Sequence, residues 1–142
     1  MLPYRALWGN LDFARVVLGD KIPKGANTIS ILPMAHMYGM AFEFLFEFVH
    51  GCHVFYLTRV PSPAIIAQAF KDVKPAIIIA VPLVIEKIIR KRVFPKLQNN
   101  KIRLLLKMPG ISKKVRHKIR EQVYQAFGGN LYEIIIGGAA LN

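Results

Sequence analysis

The chain has 142 residues, a mass of 16.1 kDa, an apolar share of 54% and a formal net charge of +12. Its length suits a single domain, and its longest apolar stretches, residues 37–49 and 76–85, are interrupted by Glu43, Glu47 and Pro82 and fall short of the ~20 residues that span a bilayer. Cys52 is the only cysteine, which excludes an internal disulfide.

The apolar share is high even before glycine is counted, where ordinary globular chains reach roughly 45–50% with glycine included. This predicts a piece of a larger body, with apolar surface left uncovered and a tendency to self-associate. Residues 1–5 show no basic region leading into an apolar run, so no signal peptide is expected, and the single cysteine fits a reducing cytoplasm. The charge is uneven. Residues 87–120 contain Lys87, Arg90, Lys91, Arg92, Lys96, Lys101, Arg103, Lys107, Lys113, Lys114, Arg116, Lys118 and Arg120, and no acid lies among them. Such a block implies an anionic partner or an acidic surface elsewhere in a parent protein. It also suits amphipathic helices with solvated faces.

In chain order, residues 4–18 read as a helix with Leu7, Leu11, Ala14 and Leu18 on one face. After a turn-rich connection, 28–32 reads as a strand stopped by Pro33. A helix follows from about His36 to His50, closed by Gly51. Strand 53–57 precedes a helix opened by Pro61-Ser62-Pro63 and running to about Val73, with Ser62 as cap. The run 76–80 is a strand without polar alternation, as a sheet covered on both faces requires. Pro82 opens a helix to about Val93, 101–108 suggests a short helix, and Ser112 is placed to cap a helix to Phe127. Gly128-Gly129 ends that helix, and 131–136 is the last strand.

This order predicts an α/β fold with a mostly parallel sheet and helices on both faces. Ligands of such folds bind beyond the carboxyl ends of the strands. Three stretches fall there and are expected to converge: residues 33–39, Val81-Pro82, and 137–141. On a helical wheel His36, Met40, Glu43 and Glu47 share one stripe, while Phe42, Phe44, Leu45, Phe46, Phe48 and Val49 cover most of the rest, as in a buried helix. Tyr38 and Met40 would offer surface to a ligand there, and Gly39 would keep space open. A histidine at this point is more often a hydrogen-bonded structural residue than a catalytic one. A zinc site from His36, His50, His53 and Glu43 lacks the ligand spacing of known motifs. No Gly-x-Ser-x-Gly elbow supports a hydrolase triad. Gly137-Gly138 permits an unusual backbone angle and the close approach of a flat ligand, but fits no phosphate-loop pattern.

Leu32-Pro33-Met34-Ala35-His36-Met37-Tyr38-Gly39, Val81-Pro82-Leu83 and Gly137-Gly138-Ala139-Ala140-Leu141 together resemble the adenylate-forming superfamily, and among its members the bacterial long-chain fatty-acid–CoA ligases. The resemblance covers essentially the whole chain and rests on the order of the motifs. It implies a part of the large N-terminal domain. There His36, Met37, Tyr38, Gly39, Met40, Val81 and Pro82 would line the acyl and adenylate pocket, and Gly137, Gly138, Ala139, Ala140 and Leu141 would form a wall against adenine. The implied reaction joins a fatty acid to ATP as an acyl-adenylate and passes it to CoA, with Mg2+ at the phosphates. The phosphate loop would lie before Met1 and the metal-binding segment after Asn142. The isolated chain is therefore expected to bind ATP, Mg2+ and CoA poorly and to be inactive. Gly39-Met40 stands where many relatives carry Glu-Arg, and Ala140 where many carry Pro, which leaves the acid open. Two alternatives stand beside this reading. One is an adenylate-forming enzyme for another carboxylic acid. The other is a small basic module whose 87–120 region contacts anionic membrane. Nucleic acid is disfavoured as its partner, because the basic block lacks interleaved aromatics.

Overall fold

The computed structural model describes residues 3–97, 108 and 111–139. Among them, β1 (Asn27–Ser30), β2 (His53–Tyr56), β3 (Ile77–Ala80) and β4 (Glu133–Ile136) form one sheet of order β2-β1-β3-β4. Every pairing is parallel. The α/β expectation holds. The registers Ser30↔Tyr56 and Ala80↔Ile136 bring the carboxyl ends of the strands to one edge.

Helix α1 (Tyr4–Leu18) precedes β1, and a π-helix (Gly39–Phe46) continuing into the single turn α2 (Glu47–His50) follows it. These pack on one face of the sheet through Leu11, Ala14, Leu18 and Phe46 against Ile77 and Ile79. Helices α3 (Pro63–Val73), α4 (Pro82–Arg92) and α6 (Ile111–Ala126) cover the other face, where Ile66, Phe70, Ile85, Ile88 and Phe127 meet Ile29, Ile31, Ile78 and Ala80. A further turn, α5 (Phe94–Leu97), follows α4. Alternate residues of one strand point to opposite faces, and β3 is fully buried because both of its faces are covered. Helices on both faces are thus observed, with α3 held at its start by Ser62 Oγ accepting from Ile65 N at 3.3 Å.

Three details differ from the sequence reading. β1 stops at Ser30, because the amides of Ile31 and Leu32 turn to the Glu43 carboxylate. Ser112 does not cap α6. Its amide donates to Met108 O at 3.1 Å, and the helix already includes Ile111 ahead of it. The helix after β1 is wound with π geometry over most of its length, which a wheel at α spacing cannot anticipate. The helix expected over 101–108 lies outside the described residues, Met108 apart, and so do Ala140 and Leu141.

The strand order adds what the sequence pattern lacked. The chain leaves β1 over one face of the sheet and leaves β3 over the other. β1 and β3 are neighbours. Their carboxyl ends therefore flank a topological switch point, where the outgoing helices diverge and where such folds have their ligand crevice.

Candidate functional site

The three expected stretches meet at that switch point. Gly137 N donates to Ala80 O at 3.2 Å, which ties the end of β4 to the end of β3. A Cβ built on Gly138 would lie 3.7 Å from Val81 Cγ1, and one built on Gly137 would lie 2.9 Å from both Cζ and Oη of Tyr38. Tyr38, Val81, Gly137 and Gly138 are thus brought together from three segments distant in sequence. Pro82 is buried as the first residue of α4, where a missing amide costs nothing. Met37 and Met40 are half-buried beside Tyr38, and Ala139 is exposed.

The geometry changes the meaning of two glycines. Gly39 does not leave space. It is buried, and a Cβ there would come within 2.7 Å of Pro33 O. It lets the helix start lie directly on the preceding turn. At Gly137 the flat group in close approach is the Tyr38 ring, so that glycine accommodates the protein's own phenol. Gly138, with φ +82, is exposed, and a Cβ there would meet Val81 Cγ1 at ordinary contact distance, so its backbone lies open at the strand ends.

Tyr38 has a buried hydroxyl with no hydrogen-bond partner. Burial, and after it the charge of Glu43, pushes this phenol above its ordinary pKa, so it remains a neutral donor. His36 is exposed in the turn after β1. Its amide donates to Pro33 O at 2.9 Å, and its Nδ1 accepts from Tyr38 N at 3.2 Å. With Nδ1 used as an acceptor, the neutral ring carries its proton on Nε2. His36 therefore offers an N–H at the crevice edge, the group suited to a carboxylate or acyl-phosphate oxygen.

His50 and His53 take no part. His50 Nε2 lies 2.7 Å from Ile22 O and its ring stacks on Phe46, while His53 sits at the opposite end of β2. Among the described residues no three His, Cys, Asp or Glu side chains are grouped to hold a metal ion. Cys52 is half-buried, and burial followed by the charge of Glu47 pushes its thiol up to about 11, which makes it a poor nucleophile near neutrality.

The sequence reading placed Glu43 and Glu47 on a stripe but gave them no partners. Both are buried, at 0% and 1% exposure, against the polar side of β1. Thr28 Oγ1 donates to Glu47 Oε2 at 2.7 Å, and Ser30 Oγ donates to Glu43 Oε2 at 2.9 Å. The match is geometric. Thr28 and Ser30 point to the same face of β1, and Glu43 and Glu47 lie one helical turn apart, so two rungs align. Burial is the main reason both carboxyls hold protons more tightly than usual, with Glu47 raised to about 8. The sequence signal was there: two acids on an otherwise apolar helix, and two hydroxyls two apart in a short buried strand. Exposed His36 departs from that stripe because it precedes the helix.

A family model described as AMP-binding enzyme matches residues 1–142. The chain belongs to the AMP-binding enzyme family. No curated protein matches it, and no solved structure does. The parallel sheet and its switch-point crevice are consistent with part of an AMP-binding domain.

Proposed function

We propose that this member of the AMP-binding family serves in the activation of a long-chain fatty acid, with ATP and then CoA as the other substrates. One observation carries the acid's identity. A cleft of about 430 Å³ runs beside the crevice, between α4 and β4, lined by Ile85, Glu86, Ile89, Arg90, Phe94, Ile134 and Ile136. Ile136 in its wall directly precedes Gly137 in the chain. Its size falls in the range of small-molecule sites, and its mostly apolar lining suits an alkyl chain better than an amino acid.

In this reading His36 Nε2–H holds the acid's carboxylate at the crevice, and Tyr38 closes the wall beside it over Gly137. The free backbone at Gly138 and the adjoining Ala139 face the adenine. The negative charge that develops as the carboxylate attacks the ATP α-phosphate requires fixed donors around it. Magnesium, when bound, would neutralise phosphate charge. The part of the described residues is to bind and orient.

Acid-dependent exchange of pyrophosphate into ATP, measured on the protein as naturally encoded, tests the reading. Palmitate is expected to support exchange, with aromatic and amino acids inactive. Ile136→Phe is expected to shift the preference toward shorter chains by about tenfold in kcat/KM. Exchange driven by an amino acid but not by palmitate would reject the fatty-acid assignment.

A second reading concerns location. Lys87, Arg90, Lys91, Lys113, Lys114, Arg116, Lys118 and Arg120 are all exposed on α4 and α6. Leu83 and Ile111 are exposed on the same helices. Basic and apolar groups together favour contact with an anionic bilayer, where fatty acids reside.

A further inference from the structure

The crevice depends on a chain path that is set outside it. β1 pairs with β2 from Asn27 to Ser30, and the chain must then leave the sheet, turn at Pro33 and enter the π-helix at Gly39. At the point of departure the amides of Ile31 and Leu32 both donate to Glu43. Ile31 N lies 3.1 Å from each carboxylate oxygen, and Leu32 N lies 2.9 Å from Oε2. Ser30 Oγ adds a third donor at 2.9 Å. Three consecutive residues are thus held by one carboxyl group. The residues that follow are Pro33, whose carbonyl receives the His36 amide, and then His36 and Tyr38 themselves.

The choice of a carboxylate here is informative. Glu43 is fully buried, and no basic side chain among the described residues bonds to it. A buried carboxylate without a cation is a costly way to fill space. The two oxygens of a carboxyl group can, however, accept from several N–H and O–H donors at once. Glu47, four residues on, is equally buried but touches only the Thr28 hydroxyl and no strand amide. The two acids therefore differ in what they hold. Glu47 packs a side chain, while Glu43 grips the backbone just ahead of the crevice. The π-wound segment spans this grip and the close contact of Gly39 with Pro33 O. Such wide turns concentrate at functional sites.

We infer that Glu43 is a positioning residue: acting through the amides of Ile31 and Leu32, it fixes the strand-to-helix segment that presents His36 and Tyr38 to the crevice. This rests on the adenylation reading above.

The test pairs two readouts on the naturally encoded protein at pH 6: hydrogen exchange of the Ile31 and Leu32 amides, and kinetics of palmitate-dependent pyrophosphate exchange. Glu43→Gln keeps the shape but turns an N–H donor toward other donors. It is expected to speed exchange at both amides by ~10-fold or more. It is also expected to lower kcat by ~10- to 100-fold through misplacement of the crevice wall, with KM for ATP within about twofold. Glu47→Gln, equally buried on the same helix, is expected to change both readouts by less than about twofold. The inference is overturned if Glu43→Gln leaves the two amides as protected as in the wild type. It is equally overturned if Glu47→Gln lowers kcat as much as Glu43→Gln, since both acids would then be mere packing. If the wild type supports no pyrophosphate exchange, the adenylation reading falls, and the amide readout alone decides the positioning. If Glu43→Gln does not fold, Ser30→Ala removes one donor and leaves the backbone intact. It should loosen the same two amides by roughly 2- to 5-fold, and unchanged exchange there would reject the inference.

Discussion

The two faces of the sheet solve one problem with different chemistry. Both bury the same two central strands. On the face under α3, α4 and α6 the strands present Ile29, Ile31, Ile78 and Ala80, and the helices answer with aliphatic and aromatic side chains. That face follows the usual rule, apolar inside and charge outside, with its basic residues on the solvent side of α4 and α6. On the opposite face β1 presents Thr28 and Ser30, and Glu43 and Glu47 are buried to meet them. The exterior there also carries large apolar side chains. Trp8, Phe13, Phe48 and Val49 are exposed, with Phe48 at 69%. A helix apolar on most sides was read as fully buried. In the structure its two acids are buried and part of its apolar surface is bare. The lesson is that hydrogen-bonding partners on the strand, and not the count of apolar residues, select which stripe of the helix turns inward.

This contrast can be broken or sharpened by measurement, beginning with the largest effect. If the basic face docks on anionic bilayers, replacing Lys113, Lys114, Arg116 and Lys118 together by Glu should weaken binding to phosphatidylglycerol vesicles by about a thousandfold, at ~1 kcal/mol per basic residue. Binding should also fall steeply with salt. Equal binding to neutral vesicles would remove the electrostatic account, and tighter binding to duplex DNA than to vesicles would point to the disfavoured partner.

The acidic face should show itself in the pH dependence of stability. The folded-state pKa of Glu47 is raised to about 8 from an ordinary 4.5. Between these values the unfolded chain releases the proton and the folded chain keeps it. The stabilising contribution is therefore fully present below pH 4.5, declines as pH rises, and is gone above about 8. Glu43, shifted in the same direction, adds to the decline. Urea titrations from pH 5 to 9 should show wild-type stability falling by a few kcal/mol. Glu47→Gln should flatten the curve while changing stability at pH 5 by less than about 1 kcal/mol. An unchanged slope in that variant would mean that Glu47 does not carry the effect.

The smallest effect lies at the junction of the two faces. A methyl group added at Gly137 would meet the Tyr38 ring at 2.9 Å. Gly137→Ala is expected to cost ~1–2 kcal/mol by overpacking. In a Tyr38→Ala background the same change should cost less than about 0.5 kcal/mol, since the clash is gone. Additive costs in the double-mutant cycle would show that the ring does not rest on Gly137.

Much of this was legible in the residues themselves. The helix at 4–18, the Ser62 cap, the uninterrupted apolar strand at 77–80 and the parallel class follow from local rules: periodicity, capping and the need to cover both faces. The ordered motifs pointed to the adenylate-forming superfamily, and the family match over residues 1–142 supports that level. The convergence of Tyr38, Val81 and Gly137 at one edge followed from the parallel class alone, because parallel strands put their carboxyl ends together.

Other features needed the third dimension. Chain order is silent on strand order, so the switch point between β1 and β3 emerged only with the sheet. The freedom of a glycine is visible in sequence, but what approaches it is not. At Gly137 it is Tyr38, and at Gly39 it is Pro33 O. Above all, a charged side chain on an apolar helix has two resolutions, an exit to solvent or a set of buried donors. The sequence by itself determined that Glu43 and Glu47 would share a stripe. Only the tertiary structure decided that the stripe faces inward, because it set Ser30, Ile31 and Leu32 within hydrogen-bond reach of Glu43 at the end of β1.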